Sequence, residues 1–185
     1  LIQRKNEEIN IISKKITKKD DIRQRHIIDS AQIIDFIDIN SNTTYDLGSG
    51  AGLPGLVVAI VMKNLKIEMK VSLFEKSYHK CVFLKDVSEE LNLNTEVIQK
   101  DIFKLKNMET GTVMSRAFKP MPLVLNLVNE NFKRFKNIIF FMGKNGKKVL
   151  KETLQHWDLD YEEKKSLTNE DSFILNIKKI KKKLS

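Results

Sequence analysis

The segment Asp46-Leu47-Gly48-Ser49-Gly50-Ala51-Gly52-Leu53-Pro54-Gly55 restricts the fold of this chain more than any other stretch. Its four glycines let the backbone pass close to a bound molecule with no Cβ in the way. A strand-like run at residues 43–47 leads into it, and the apolar residues 56–62 that follow suit a buried helix. Strand, glycine turn and helix in that order open an α/β fold whose ligands sit beyond the carboxyl ends of the strands.

The rest of the chain repeats the alternation. Strands are expected at 69–75, 95–98, 112–115 and 137–142, with helical patterns at 77–92, 123–132 and 147–154. Such alternation implies a mainly parallel sheet with helices on both faces. Residues 157–164 and 173–180 alternate as two closing strands, an antiparallel hairpin at the sheet edge. Residues 1–40 carry apolar side chains near helical spacing with no proline, so a helical extension is expected ahead of a Rossmann-like core over 43–185. At 185 residues, one domain is expected.

Composition excludes some classes. With 41% hydrophobic and 31% charged residues the chain is a globular rather than a disordered sequence. The apolar run 56–62 falls far short of the roughly 20 residues that a membrane helix needs, so no membrane association is expected. Cys81 is the sole cysteine, which excludes an internal disulfide, and no secretory pattern opens the chain; a reducing cytoplasm follows as the expected location. His79, His156 and the acids lack metal-ligand spacing, so no metal is expected. The formal charge is +9, with Lys14, Lys15, Lys18, Lys19, Arg23 and Arg25 near the start and Lys178, Lys179, Lys181, Lys182 and Lys183 near the end. Each run alone reads equally well as solvated surface; two runs with that net charge favour a nucleic-acid partner.

Gly50, Gly52 and Gly55 formally satisfy the G-x-G-x-x-G dinucleotide fingerprint. In that fingerprint a helix N-terminus holds a pyrophosphate, which a neighbouring carboxylate would repel. Asp46 ends the strand just before Gly48. S-adenosylmethionine carries a sulfonium and an ammonium instead of phosphates, and an acid beside the turn suits it better. Glu75, at the end of the second strand, is placed to accept hydrogen bonds from a ribose in either cofactor class. An NAD-linked oxidoreductase and a noncatalytic RNA-binding protein are the competing readings.

Taken in order, Arg25-His26-Ile27-Ile28-Asp29-Ser30, the glycine turn, Lys80-Cys81-Val82-Phe83-Leu84 and Ser115-Arg116-Ala117 resemble the glucose-inhibited division protein B family. Its members are bacterial small-subunit (16S) ribosomal RNA guanine-N7 methyltransferases. The resemblance implies a class I, S-adenosylmethionine-dependent fold, and ribosomal RNA or the small ribosomal subunit as partner. It implies that Asp46, Gly48, Ser49, Gly50, Gly52 and Leu53 shape the methionine pocket, that Glu75 meets the ribose, and that Arg116 faces cofactor and target base. Where the family shows Arg-x-Glu after the third strand, this chain has Asp101-Ile102-Phe103, so Ile102 meets the adenine through its backbone and Asp101 takes the adenine amino group. The family's Lys-Gly falls on Met142-Gly143, which leaves Lys144 as the candidate catalytic lysine, and Ser172-Phe173 replaces an Arg-His pair.

Guanine N7 has a free lone pair, so direct in-line displacement at the methyl group needs no general base, only alignment and exclusion of water. The absence of an Asn-Pro-Pro-Tyr motif and of a paired cysteine agrees with that chemistry. Arg116 is expected to orient the guanine through O6. His26 reads more readily as structural than as a site residue, and Cys81 as packing. The oligomeric state is not legible, with a monomer favoured.

Overall fold

The computed structural model describes residue 20 and residues 23–184. Expectations for residues 1–19, 21 and 22, including Lys14, Lys15, Lys18 and Lys19, lie outside the described residues. In chain order the strands are β1 (Thr43–Leu47), β2 (Lys70–Phe74), β3 (Thr95–Ile98), β4 (Met108–Glu109), β5 (Thr112–Ser115), β6 (Phe132–Arg134), β7 (Asn137–Met142), β8 (Trp157–Lys165) and β9 (Phe173–Lys182). The helices are α1 (Gly55–Asn64), α2 (Tyr78–Glu90), α3 (Met121–Asn131) and α4 (Gly146–Thr153).

Seven strands build one sheet in the order β3-β2-β1-β5-β7-β9-β8. The first five run parallel; β9 pairs antiparallel with β7 and with β8, so the expected hairpin closes the edge. Neighbouring residues on a strand face opposite sides. Ile138 and Ile139, like Ile174 and Leu175, accordingly fall into two separate cores, one shared with α1 and α2 and the other with α3 and α4. Burial on both faces is why these strands read as unbroken apolar runs.

Two expectations need correction. The helix over 1–40 is not continuous among the described residues: a π-helical turn, Arg23–Ile28, passes into a short α-helical turn, Asp29–Ala31, and after a 3-10 turn at Ile34–Phe36 the chain is extended at Ile37. Side chains of the sheet capture the backbone here. Asn137 Nδ2 donates to the Phe36 carbonyl at 2.8 Å, and the Asp38 N–H donates to Thr112 Oγ1 at 3.0 Å. Groups that a longer helix would pair internally are thus satisfied by the core. The second correction is the pair β4 and β6, a separate two-stranded ribbon. At two and three residues they are too short for alternation to register.

Candidate active site

The strand order reverses beside β1, and the carboxyl ends of β1, β2 and β5 frame a cleft of about 570 Å³. That volume suits a small-molecule site. Gly48, Ser49, Gly50, Ala51 and Leu53 line it from the turn, Phe74 and Glu75 from the end of β2, Ile102 and Phe103 from beyond β3, and Arg116 and Phe118 from beyond β5.

The glycines serve different ends. Gly48 has φ +70°, and a Cβ there would run into the Phe118 ring. Gly50 has φ +55°, yet its Cβ would meet no protein atom nearer than the Gly48 carbonyl oxygen at 3.7 Å and would project into open space. The turn is tied down by Ser49, whose N–H donates to the Phe74 carbonyl at 2.9 Å and whose Oγ donates to the Asp46 carbonyl at 3.0 Å.

Asp46 does not line the cleft, which corrects the direct cation contact expected of it. Its carboxylate is buried and turned into the loop, where Oδ2 accepts the Gly55 N–H at 3.0 Å. Desolvation pushes the carboxyl up to about 7, against the lowering effects of that hydrogen bond, of Ser49 and of the Arg116 charge. Asp46 therefore braces the turn. Glu75 faces the cleft: Oε2 accepts the Gly50 N–H at 3.0 Å, and Oε1 accepts Lys76 N–H and Ser77 N–H at 2.7 and 2.8 Å. Three backbone donors fix a carboxylate with about four acceptor positions, which leaves capacity for one more donor from a ligand.

Arg116 lines the cleft and is held from the N-terminal segment. Its Nη2 lies 2.8 Å from Asp29 Oδ2 and 3.5 Å from His26 Nδ1, its Nη1 donates to Ser30 Oγ at 3.0 Å, and its guanidinium stands 5.3 Å above the Phe141 ring. Burial lowers its pKa below the ordinary guanidinium value, and the charges of Asp29 and Asp46 oppose that shift. The next residue, Ala117, takes φ +50°, a left-handed conformation unusual for a residue with a Cβ. His26, read from sequence as structural, shares the cleft wall.

Gly52, Asp101 and Lys144 lie outside the cleft lining. A Cβ on Gly52 would meet Leu56 and Leu84, so that glycine serves packing. Asp101 spends both oxygens locally: Oδ2 pairs with Lys76 Nζ at 2.8 Å, and Oδ1 accepts the Phe103 N–H at 3.1 Å. Lys144 is exposed beyond β7. Asp29 and Ser30 were not singled out from sequence as the partners of Arg116; the available signal was an acid set in the apolar run Ile27-Ile28, which calls for a cation partner. Lys76, Lys100 and Lys119, also not singled out, reach the cleft wall, as does Lys80, which opens the Lys80–Leu84 motif. Among the described residues, Lys80, Lys100 and Lys119 make no ion pair, whereas in the C-terminal run Lys178 pairs with Glu162 and Lys183 with Asp158. No group of three His, Cys, Asp or Glu among the described residues could hold a metal ion, and none of the described helices is long and apolar enough to cross a membrane.

The GidB family, described as rRNA small subunit methyltransferase G, matches residues 1–175. The chain belongs to this family. A ribosomal RNA small subunit methyltransferase G of Pelagibacter ubique is 59% identical over 183 residues, 99% of this chain and 86% of that protein. A protein of the same description from Rickettsia felis is 31% identical over 98% of this chain and 90% of its own length. Among solved structures, a SAM-dependent methyltransferase from Aquifex aeolicus superposes with a TM-score of 0.64 at 14% identity, covering 88% of this chain and 96% of its own. Magnesium protoporphyrin IX methyltransferase from Synechocystis PCC 6803, solved with bound SAM, gives 0.64 at 12% identity over 96% of this chain and 90% of its own. These likenesses give the fold as that of S-adenosylmethionine-dependent, Rossmann-like methyltransferases.

As in the GidB family at large, the cofactor of this chain is S-adenosylmethionine, and the cleft fits it. Gly50 leaves space that any side chain would fill, Glu75 retains acceptor capacity, and Phe74 and Ile102 supply an apolar wall.

Proposed function

We propose that this chain methylates N7 of a guanine in small-subunit (16S) ribosomal RNA, as a single methyltransferase domain that works as a monomer in the cytoplasm. Methylation of small-subunit rRNA with S-adenosylmethionine follows from family membership. The finer reading rests on one observation: the cleft at the strand-order reversal brings the open face of Gly50, the Glu75 carboxylate and the Arg116 guanidinium together in its lining.

When bound, S-adenosylmethionine supplies a methyl group on a sulfonium, which a neutral lone pair can take without prior loss of a proton. In keeping with that, the carboxylate and the imidazole that line the cleft are engaged elsewhere, Glu75 by three backbone N–H groups and His26 beside Arg116. The loop from Gly48 to Leu53 supports the methionine part, Glu75 receives the ribose hydroxyls, and Ile102 offers backbone and an apolar surface to the adenine. Arg116 donates to guanine O6 and leaves N7 exposed. Lys80, Lys100 and Lys119 meet phosphates at the rim. Asp46 supports the loop from behind, and neither Asp101 nor Lys144 is needed for this assignment.

The test offers naked 16S rRNA and assembled small subunits with labelled S-adenosylmethionine, then maps N7-methylguanine by borohydride reduction and aniline cleavage. One discrete cleavage site is expected. Label incorporation without cleavage overturns the N7 assignment, and cofactor binding without incorporation favours a noncatalytic RNA-binding protein.

A further inference from the structure

The acid that grips Arg116 has a second set of contacts, and these run away from the cleft. Asp29 Oδ2 faces Arg116 Nη2 at 2.8 Å, while Oδ1 accepts Gln32 Nε2 at 2.7 Å and Thr168 Oγ1 at 2.9 Å. Thr168 belongs to the turn joining β8 to β9, more than a hundred residues along the chain. The same Gln32 accepts the Leu167 N–H on Oε1 at 2.9 Å. Lys164, near the end of β8, donates to the Gln32 carbonyl at 3.0 Å and to Asp35 Oδ2 at 2.8 Å. The hairpin tip, the helical turn at residues 29–31 and the cleft arginine thus form one continuous polar network.

The side chains of Asp29 and Arg116 are only 15% and 18% exposed. An ion pair this sheltered is sensitive to the loss of either partner, because the survivor is left poorly solvated. A guanidinium has five donors in a rigid fork, and three of its neighbours, Asp29, Ser30 and His26, come from one short segment. The segment thereby sets both where the fork sits and how its plane is turned.

We infer that Asp29 is a positioning residue for methyl transfer: it fixes the Arg116 guanidinium in the cleft and, through Thr168 and Gln32, makes that position depend on the tip of the β8–β9 hairpin. The inference rests on the reading that Arg116 orients the target base. Asp29 touches neither cofactor nor RNA in this scheme. Its contribution is to alignment, where a displacement of about 1 Å costs on the order of a hundredfold in rate.

The experiment compares Asp29→Asn, Asp29→Glu, Thr168→Val, Arg116→Ala and the double variant Asp29→Asn with Arg116→Ala, in the full chain. Calorimetry reads S-adenosylmethionine affinity, and single-turnover methylation of small subunits reads rate and half-saturation separately. Asp29→Asn is expected to lower the rate about ten- to a hundredfold while cofactor affinity stays within about twofold. Asp29→Glu should recover part of the loss, and Thr168→Val, which leaves the ion pair intact, should lose about threefold. In the Arg116→Ala background, Asp29→Asn should add nothing further. Full additivity of the two losses, or a normal rate in Asp29→Asn when Arg116→Ala is slow, overturns the inference. A normal rate in Arg116→Ala instead overturns the role given to Arg116 itself. If Asp29→Asn lowers the melting temperature, Thr168→Val and the non-additivity decide, since a loss of stability alone moves all variants' rates in step with folded fraction.

Discussion

The Gly55 N–H donates to Asp46 Oδ2 at 3.0 Å, so the last residue of the glycine turn is fastened to the strand that launches it. A Cβ on Gly55 would collide with that same carboxylate and with Leu73, whereas a Cβ on Gly50 would enter open cleft. Two alanine substitutions five residues apart should therefore fail differently. Gly55→Ala is expected to destabilise the fold by about 1–3 kcal/mol, the usual range for overpacking. Gly50→Ala should cost about 1 kcal/mol for its left-handed backbone and lose S-adenosylmethionine binding more than tenfold. Chemical unfolding together with calorimetry separates them; an equal loss of stability in both contradicts the division.

The burial that lifts the Asp46 carboxyl to about 7 also makes stability depend on pH. An unfolded chain releases that proton near its ordinary 3.8, while the folded chain holds it until about 7. Stability is fully present below the lower value, falls through the window between them, and has lost the whole contribution above the upper one. Asp46→Asn keeps an acceptor for Gly55 and removes the titration. Its urea midpoint is expected to vary less between about pH 5 and about pH 8 than that of the parent, with the variant the more stable at the upper value.

Glu75 is satisfied by three backbone N–H groups, one of them from Gly50 in the adjoining glycine turn. Glu75→Gln turns an amide NH₂ towards at least one of those donors. A drop of about 1–3 kcal/mol in stability and at least a tenfold loss of cofactor affinity are expected, measured by thermal unfolding and calorimetry. Unchanged affinity would remove Glu75 from the ribose site.

Ala117 holds φ +50° one residue past Arg116. A left-handed residue with a Cβ carries a strain of about 1 kcal/mol that glycine avoids. Ala117→Gly should therefore stabilise the chain, or at least leave it unchanged despite the added freedom of the unfolded state. Denaturant midpoints check this, and a clear loss of stability would show that the alanine methyl contributes packing that outweighs the strain.

The lysines make opposite forecasts. Lys178 and Lys183 are paired with acids of β8, whereas Lys80, Lys100 and Lys119 stand unpaired at the cleft among the described residues. Substituting the cleft three with alanine should weaken rRNA binding and lower the slope of log affinity against log salt by about two to three, while Lys178→Ala with Lys183→Ala should change it by less than one. Filter binding across a salt series reads the slopes.

Much of the α/β frame was legible because each strand lies between turn residues and each helix carries its own apolar face. The Thr43–Leu47, Thr95–Ile98, Thr112–Ser115 and Asn137–Met142 strands fall where alternation puts them. The break after Ala31 was not, since it depends on Asn137 and Thr112, which lie 101 and 74 residues from the groups they bind. The cleft residues Gly48, Gly50 and Glu75 followed from turn and strand-end positions, and Ile102 and Arg116 chiefly from the family resemblance. Asp46 did not, because sequence gives its place on β1 but not the direction of its carboxylate. In the C-terminal run, Lys178 and Lys183 are paired with acids of β8, a strand legible in the sequence although its pairing with them was not, while Lys179, Lys181 and Lys182 make no ion pair among the described residues.

The way the closing hairpin balances its own charges bears on how the molecule approaches its target. With Glu162 offsetting Lys178 on β9 and Asp158 offsetting Lys183 just past it, that flank pulls less on a polyanion than five lysines alone, while the mouth of the cleft keeps its cations. A body polarised in this manner experiences a torque in the field of a phosphate-rich surface. It turns as it diffuses, and arrives with the opening already presented.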